Sequence, residues 1–430
     1  MRTFNYKDEN FKEEISGLLE RPSYPESIEN DVKQILKEVK SDGNKALVKF
    51  AKKFDNADIA ENNLRVTQEE ILKAEGLVSE KDKLAIKTAL EHIKIFSENK
   101  IPKQWTFSPR EGVTLGEKFE PIERIAVYIP GGTAPLVSTV LHTAGIAKTA
   151  GVKEIVAVTP PNPNGEIHPA ILFAMKEAGV TEIYRLGGVY GIAAMAYGTE
   201  SIDKVNKIVG PGNAYVTAAK KLVYGEVAID MIAGPSEIMI IADKNASPKF
   251  IAADMLSQAE HGSGFEQAVL VCDSDEIISS VEKKILLQSK QLNRQEPIQK
   301  VLENGIFFIK VKDINYAAEI ANLYAAEHLE IMTSNPDDVA KNIKSAGAIF
   351  LGEWTPEPLG DFVAGPSHVL PTATTAKFFN GLTVESFFKR TSLLKYDKPA
   401  LKKELEYIKS IADLEGLDAH KNSAVIRFDS

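Results

Sequence analysis

Four short segments of this 430-residue chain carry side chains able to hold a metal or move a proton. Gln258 and His261 set an amide oxygen and an imidazole three residues apart. On a helix that spacing turns both toward one face, as two ligands of one ion require. Glu327 and His328 place a carboxyl beside an imidazole, just before the apolar run Leu329–Met332. Such a pair can pass protons near neutral pH. Asp361 and His368 lie in a stretch rich in Gly and Pro, which reads as a loop, where functional side chains tend to sit. Glu415 and His420 follow the last amphipathic segment. Each signal is weak alone. A QxxH pair is more often structural, and a tail histidine more often answers its own helix dipole. The other histidines read as a surface residue (His92), core packing (His142) and a solvent-facing or capping residue (His168).

Glycine-rich turns recur after β-like runs: Pro130-Gly-Gly-Thr-Ala134, Gly187-Gly188, Gly210-Pro-Gly-Asn213 and Ala233-Gly-Pro-Ser-Glu237. Glycine after a parallel strand lets backbone approach a phosphate at the next helix N-terminus. No GxGxxG is present, because Gly210-Pro-Gly212 lacks the third glycine. Turn by turn, a tight strand-to-helix connection is the simpler reading. HExxH, GxSxG and Walker A patterns are absent, which disfavours metalloprotease, α/β-hydrolase and P-loop chemistry.

These residues need a scaffold. Before residue 100 the pattern is helical: Ile28, Val32, Ile35, Leu36 and Val39 form a stripe broken at Asp42-Gly43. Thr67 and Glu70 have the spacing of a capping box. From about residue 122, short β-rich runs alternate with helical stretches, which predicts βαβ units and parallel sheet. Two α/β units in tandem are expected, near 129–236 and 237–380. From Pro399 an amphipathic helix follows, with Leu401, Leu405, Ile408 and Ala412 on successive turns.

Composition narrows the class. Apolar residues make up 44% and charged residues 26%, as in globular proteins. With 51 basic against 60 acidic residues the net charge is −9. No dense basic block invites nucleic acid or an anionic membrane. The polar, acidic segment 1–20 lacks the apolar core of a secretory signal. The single cysteine, Cys272, excludes an intrachain disulfide and a cysteine zinc site, and suits a reducing, cytoplasmic setting. Its apolar neighbours mark it as a buried hydrophobe.

Taken together, the segments resemble the histidinol dehydrogenase family along almost the whole chain, from about residue 25 to 428. The resemblance is carried by Val127-Tyr-Ile-Pro-Gly-Gly132, Ala194-Met-Ala-Tyr-Gly-Thr-Glu200, Val209-Gly-Pro-Gly-Asn213, Asp230-Met-Ile-Ala-Gly-Pro-Ser-Glu237, Leu256-Ser-Gln-Ala-Glu-His261, Glu327-His-Leu-Glu330, Gly365-Pro-Ser-His-Val-Leu-Pro371 and Glu415-Gly-Leu-Asp-Ala-His420. It implies oxidation of L-histidinol through L-histidinal to L-histidine with two NAD+, the last steps of histidine biosynthesis. It implies one zinc per subunit, held by Gln258, His261, Asp361 and His420, the last from the partner of a homodimer. Glu327 and His328 would be the catalytic bases. Ser236, His328, His368 and Glu415 would contact substrate beside the zinc ligands, and Tyr128, Tyr190 and Asn213 would face NAD.

The implied fold is α/β: two incomplete Rossmann-like domains, a helical N-terminal region and a C-terminal arm, in an intertwined homodimer. The expected division is an N-terminal arm over 1–20, a metal and substrate domain over 21–128 plus 237–380, an NAD domain over 129–236, and an arm over 381–430 that reaches the partner's active site. Three positions depart from the family's pattern: Tyr190 stands where Gln is common, Ser367 for Asn, and Ala326 for Pro. Competing readings are a relative that oxidises another small alcohol, a silent binding protein on the same scaffold, and a generic zinc hydrolase. The intact Glu327-His328 pair argues against silence, and the glycine turns with the tandem α/β rhythm argue against a hydrolase.

Overall fold

The structure is a computed structural model and describes residues 1–21, 24–131 and 135–429. The chain divides into two compact units: Met1–Lys100 with Ile122–Ser386, and Ile101–Pro121 with Phe387–Ser430.

The larger unit is built on two parallel sheets. The five-stranded sheet runs Glu182–Arg185, Glu154–Thr159, Arg124–Tyr128, Lys207–Val209, Ala228–Ile229. Its chain order reverses between Arg124–Tyr128 and Lys207–Val209. The six-stranded sheet runs Arg2–Asn5, Ile306–Lys310, Gln267–Cys272, Glu237–Ala242, His328–Met332, Ala348–Leu351. Its order reverses between Glu237–Ala242 and His328–Met332. Strands such as Glu237–Ala242 are buried at every position, which is why they read as unbroken apolar runs rather than alternating ones.

Two segment boundaries differ from the sequence expectation. Arg124–Tyr128 is the middle strand of the five-stranded sheet, so that sheet begins before residue 129. The helix Glu29–Phe54 also packs there: Val32, Leu36, Leu47 and Phe50 share a core with Ala126, Val156 and Ile192. An apolar stripe goes to whichever face it can cover, and sequence spacing does not name that face. Arg2–Asn5 pairs with Ile306–Lys310 as the edge of the six-stranded sheet. The break foreseen at Asp42-Gly43 is a kink at Gly43, whose φ of 53° suits glycine. The capping box at Thr67 and Glu70 forms as expected.

In the smaller unit, Phe388–Tyr396, Val113–Pro121 and Trp105–Arg110 form an antiparallel sheet. Two helices follow, Lys398–Glu415 and Asp418–Val425, separated by a left-handed Gly416. Tyr407, Ile411 and Leu414 of the first helix are exposed. No described helix is long and apolar enough to cross a membrane.

Leu47, on the kinked helix, is fully buried in the core it shares with the helix Gly188–Tyr197 and the five-stranded sheet. Leu47→Ala should therefore cost about 2–5 kcal/mol through lost transfer energy and an unfilled cavity. Chemical denaturation of both proteins measures this, and a loss below about 1 kcal/mol would contradict the packing described.

Candidate metal and proton-transfer site

The chemistry-bearing residues gather at the amino-terminal edge of the six-stranded sheet. His328 is the first residue of its strand and pairs with Ile238 on one side and Ala348 on the other. It is 2% exposed. Its Nδ1 lies 3.1 Å from the Glu237 carbonyl oxygen. An oxygen there can only accept, so Nδ1 carries the hydrogen and Nε2 carries the lone pair. Nε2 has no hydrogen-bond partner. It faces Asp361 Oδ1 at 3.8 Å and Glu357 Oε1 at 3.9 Å. Burial, with His261 close by, pushes the imidazole down to about 3. The ring is therefore neutral at pH 7 and able to accept a proton.

Glu327 is also buried. Its Oε2 accepts from the Glu237 backbone N–H at 3.0 Å and lies 3.8 Å from His328 Nδ1. Burial holds this carboxyl well above its ordinary range, and the Glu237 carboxyl adds to the rise. Glu237 itself is ion-paired with Arg21 at 2.9 Å and accepts from the Ala373 N–H at 2.8 Å. Arg21 in turn lies over the Tyr324 ring, 3.6 Å from its centroid.

A metal-sized cluster sits in front of His328. His261, Glu357 and Asp361 each bring one ligand atom to within 4.8 Å of the others. Gln258 is fully buried, and neither atom of its amide has a partner. An orphaned buried amide costs roughly 1–3 kcal/mol, so a site that leaves one is shaped for a ligand. Two nitrogen and oxygen donor types beside carboxylates form a set that zinc accepts.

The local structure differs from the sequence expectation at two points. The helix Pro248–Ala259 ends before His261, which lies past the C-cap Glu260 in an exposed turn. Gln258 and His261 therefore stand on either side of a helix end rather than along one helical face. Asp361 is not in a loop but in the helix Glu357–Phe362, opened by Pro356 and Pro358. Proline suits the first helical turn, where its missing N–H is not needed. That helix brings in Glu357, which sequence reading missed. Its signal was present: Glu357 is four residues before Asp361, one helical turn away on the same face.

Behind the cluster lies a further acidic layer. The Glu357 N–H donates to Glu330 Oε1 at 2.7 Å, and the Ser257 hydroxyl donates to Glu357 Oε2 at 3.0 Å. Asp254 adjoins Glu330. Burial followed by neighbouring acids raises Asp254 to about 7 and Glu357 to about 8. Asp361 is raised to about 6, again mainly by burial.

His368 lies beside these residues. Its ring meets His142 edge-on at 4.7 Å, and its Nε2 has no partner. Burial lowers it to about 4. Ser236 is half-buried and gives its carbonyl to the Gln267 N–H. Glu415 and His420 are exposed in the smaller unit.

The residues expected to face NAD stand around the carboxyl edge of the five-stranded sheet. Tyr128 ends the middle strand, and its hydroxyl accepts from the Gly188 N–H at 3.1 Å. Asn213 caps the helix Ala214–Val223 through the Val216 N–H. Tyr190 is 1% exposed, and its hydroxyl donates to the Asp55 carboxylate. In the turn Pro130–Ala134, residues Gly132, Thr133 and Ala134 lie outside the described residues. Nearby is an open cleft of about 790 Å³, walled in part by Asp55, Gly131, Thr159, Pro160 and Arg185.

In the metal-free protein the raised carboxyls set a pH dependence. The folded state keeps protons on Asp254 and Glu357 that the unfolded chain releases from its ordinary values of 3.8 and 4.5. Stability therefore drains away as pH rises through the folded values of about 7 and about 8. His328 does not enter above pH 6.5, because its ring is then largely neutral in both states. Thermal melting of chelated protein should show Tm falling from pH 6.5 to 8.5, and Glu330→Gln should flatten that fall by removing a buried acid whose own carboxyl is held well above its ordinary range by burial and by Asp254. Equal slopes for the two proteins would contradict a proton held on Glu330.

The family model of histidinol dehydrogenase matches residues 20–428. A histidinol dehydrogenase of Clostridium acetobutylicum is 46% identical over 397 residues, covering 92% of this chain and 91% of that one. A histidinol dehydrogenase of Bacteroides thetaiotaomicron is 46% identical over 421 residues, with 97% of each chain covered. The crystal structure of histidinol dehydrogenase from Elizabethkingia anophelis superposes with a TM-score of 0.94 at 38% identity, covering 100% of this chain and 98% of that one. A match of this length and closeness settles the kinship that the clustered imidazoles and acids suggested: the chain belongs to the histidinol dehydrogenase family and is an NAD-dependent dehydrogenase.

Proposed function

We propose that this protein oxidises L-histidinol through L-histidinal to L-histidine, using zinc and two NAD+. One observation supports the metal above others. Five buried polar atoms lack partners, two on Gln258 and one each on His328, Glu357 and His368, and Glu357 belongs to a trio already at ligand spacing. Gln258, His261 and Asp361 would hold zinc, with His420 of a second copy as a fourth donor. Zinc, when bound, supplies Lewis acidity and a template that fixes the substrate's pose. NAD+, when bound, takes up hydride. The homodimer is part of the proposal. The exposed apolar stripe Tyr407, Ile411 and Leu414 lies on the helix that leads to Glu415 and His420, and such a stripe suits burial against another copy. Incomplete Rossmann-like domains and a cytoplasmic setting complete the reading. The reversal of strand order in the five-stranded sheet supports the first, and the lone buried Cys272 the second.

Converting a primary alcohol to a carboxylic acid removes two hydrides and adds one oxygen from water. His328 Nε2 takes the hydroxyl proton as the first hydride leaves. Nδ1 keeps its hydrogen and goes on donating it to the Glu237 carbonyl, so the ring keeps its orientation. The aldehyde then needs water, because only its hydrate carries a hydroxyl proton and a removable C–H hydride together. Glu327, its carboxyl raised by burial, takes a proton from that water in its ionised form. The hydroxide adds to the aldehyde carbon, and His328 returns its first proton to the former carbonyl oxygen, which completes the gem-diol and frees Nε2. The gem-diol then gives a hydroxyl proton to His328 as the second hydride leaves. Ser236, His368 and Glu415 would orient the substrate's polar groups, and Tyr128, Tyr190 and Asn213 would serve the cofactor.

The decisive assay follows NADH absorbance with L-histidinol before and after chelation. Two NADH per histidinol, lost on chelation and restored by zinc, is the expected result. Turnover of unrelated alcohols but not histidinol would overturn the substrate. Unchanged turnover after complete metal removal would overturn the metal.

Two variants separate the roles. His328→Asn should lower kcat roughly 100- to 10,000-fold with zinc content unchanged. His420→Asn should instead weaken zinc retention by roughly 10-fold or more. If His420→Asn leaves metal content and rate intact, the cross-subunit ligand is wrong.

A further inference from the structure

The cleft at the carboxyl edge of the five-stranded sheet contains a carboxylate that no other part of the mechanism uses. Asp55 is the C-cap of the kinked helix Glu29–Phe54 and lines that cleft. One carboxylate oxygen, Oδ2, accepts from the Tyr190 hydroxyl. Tyr190 cannot swing away. Its ring is buried in the helix Gly188–Tyr197 and lies 6.3 Å from the Phe50 ring. The carboxylate also rests against Gly187, the N-cap of that helix: a methyl group placed on Gly187 would come within 3.1 Å of both carboxylate oxygens. A helix N-terminus favours a negative group. Asp55 is thus a fixed, oriented acceptor, with Oδ1 left over.

In a parallel α/β sheet, cofactors lie beyond the carboxyl ends of the strands, and an acid there accepts from the ribose 2′-hydroxyl of NAD. The same acid repels the 2′-phosphate of NADP. The surroundings support exclusion. Glu70 and Glu166 also line the cleft. Arg185 could have welcomed a phosphate, but its guanidinium already donates to the carbonyls of Gly165, Asn63 and Arg65 and pairs with Glu70. Among the described residues, Lys73 and His168 are the remaining basic side chains along the wall.

We propose that Asp55 selects NAD over NADP by accepting a ribose hydroxyl, with Tyr190 as the residue that positions it. This rests on the reading of the five-stranded sheet as the cofactor-binding half. It also gives Tyr190 a role through Asp55 rather than by direct contact, since its one polar atom is already committed.

The test is fluorescence titration of the holoenzyme, without substrate, with NADH and with NADPH. The wild type should bind NADH at least about tenfold more tightly than NADPH. Asp55→Asn keeps the shape and removes the charge, and should narrow that ratio at least about fivefold, chiefly by tightening NADPH. Tyr190→Phe leaves the acid but frees it to rotate, and should narrow the ratio less. Melting curves check that each variant folds, and either variant alone carries the test if the other does not. An unchanged ratio in both variants overturns the proposal while leaving NADH binding intact. A wild type that binds neither nucleotide overturns the cofactor reading itself, and this inference with it.

Discussion

Burying a carboxyl away from water is costly unless something cancels its charge. The amino edge of the six-stranded sheet buries Asp254, Glu237, Glu327, Glu330 and Glu357. Arg21 answers Glu237. The others are left with backbone N–H groups, one hydroxyl, and each other. Such a wall can be stable in two ways: it can keep protons, or it can face a cation. The upward shifts of Asp254 and Glu357 are the first solution, and the trio His261, Glu357 and Asp361 is built for the second. The rest of the site follows from this. His328 stays neutral because it is buried, and its free nitrogen points at the place where a positive ion would sit.

The two sheets share a strand order but use opposite edges. In the five-stranded sheet the glycine turns, Asp55 and Tyr128 lie at the carboxyl ends of strands. In the six-stranded sheet the reactive groups lie where strands begin: Glu237 and His328 are first residues. The difference would suit the proposed tasks. A nucleotide wants backbone approach, which short turns after strands provide. A metal with its base wants side chains locked against motion. A strand's first residue is already held by pairing on both sides, as His328 is by Ile238 and Ala348.

Much of this was legible in the residues. The alternation of β-like and helical runs gave parallel α/β architecture, and Cys272, His168 and the Thr67 cap took their expected places. Glu327 and His328 were visible as a pair because they are adjacent in the chain. Glu357 was hidden because its meaning depends on Pro356 opening a helix, where Gly and Pro nearby read as loop. The acidic layer was hidden for a different reason. Asp254 and Glu330 are 76 residues apart, and their meeting depends on a helix crossing a strand. Sheet boundaries escaped because an amphipathic helix shows that it has a buried face without saying which sheet receives it. The helix Glu29–Phe54 is the example.

One contact between the two halves is a histidine pair that the histidine pattern did not announce. His142 lies in a π-helical turn, Leu141–Gly145, in the segment that follows the Tyr128 strand. His368 comes from the stretch after the Ala348 strand. Their rings meet at 4.7 Å, and the Ser367 hydroxyl donates to the His142 carbonyl at 3.2 Å. A π-turn is rare and costs regular hydrogen bonding, so it persists where it aims a side chain that matters. Both nitrogens of His142 are buried without partners, so its cost is not recovered locally. The proposed chemistry, with a hydride passing to a cofactor on one sheet and a proton to a histidine on the other, would need the two sheets in fixed register. An imidazole pair at the junction, one member beside the metal-sized cluster and the other in the segment after the Tyr128 strand, would meet that need with few atoms.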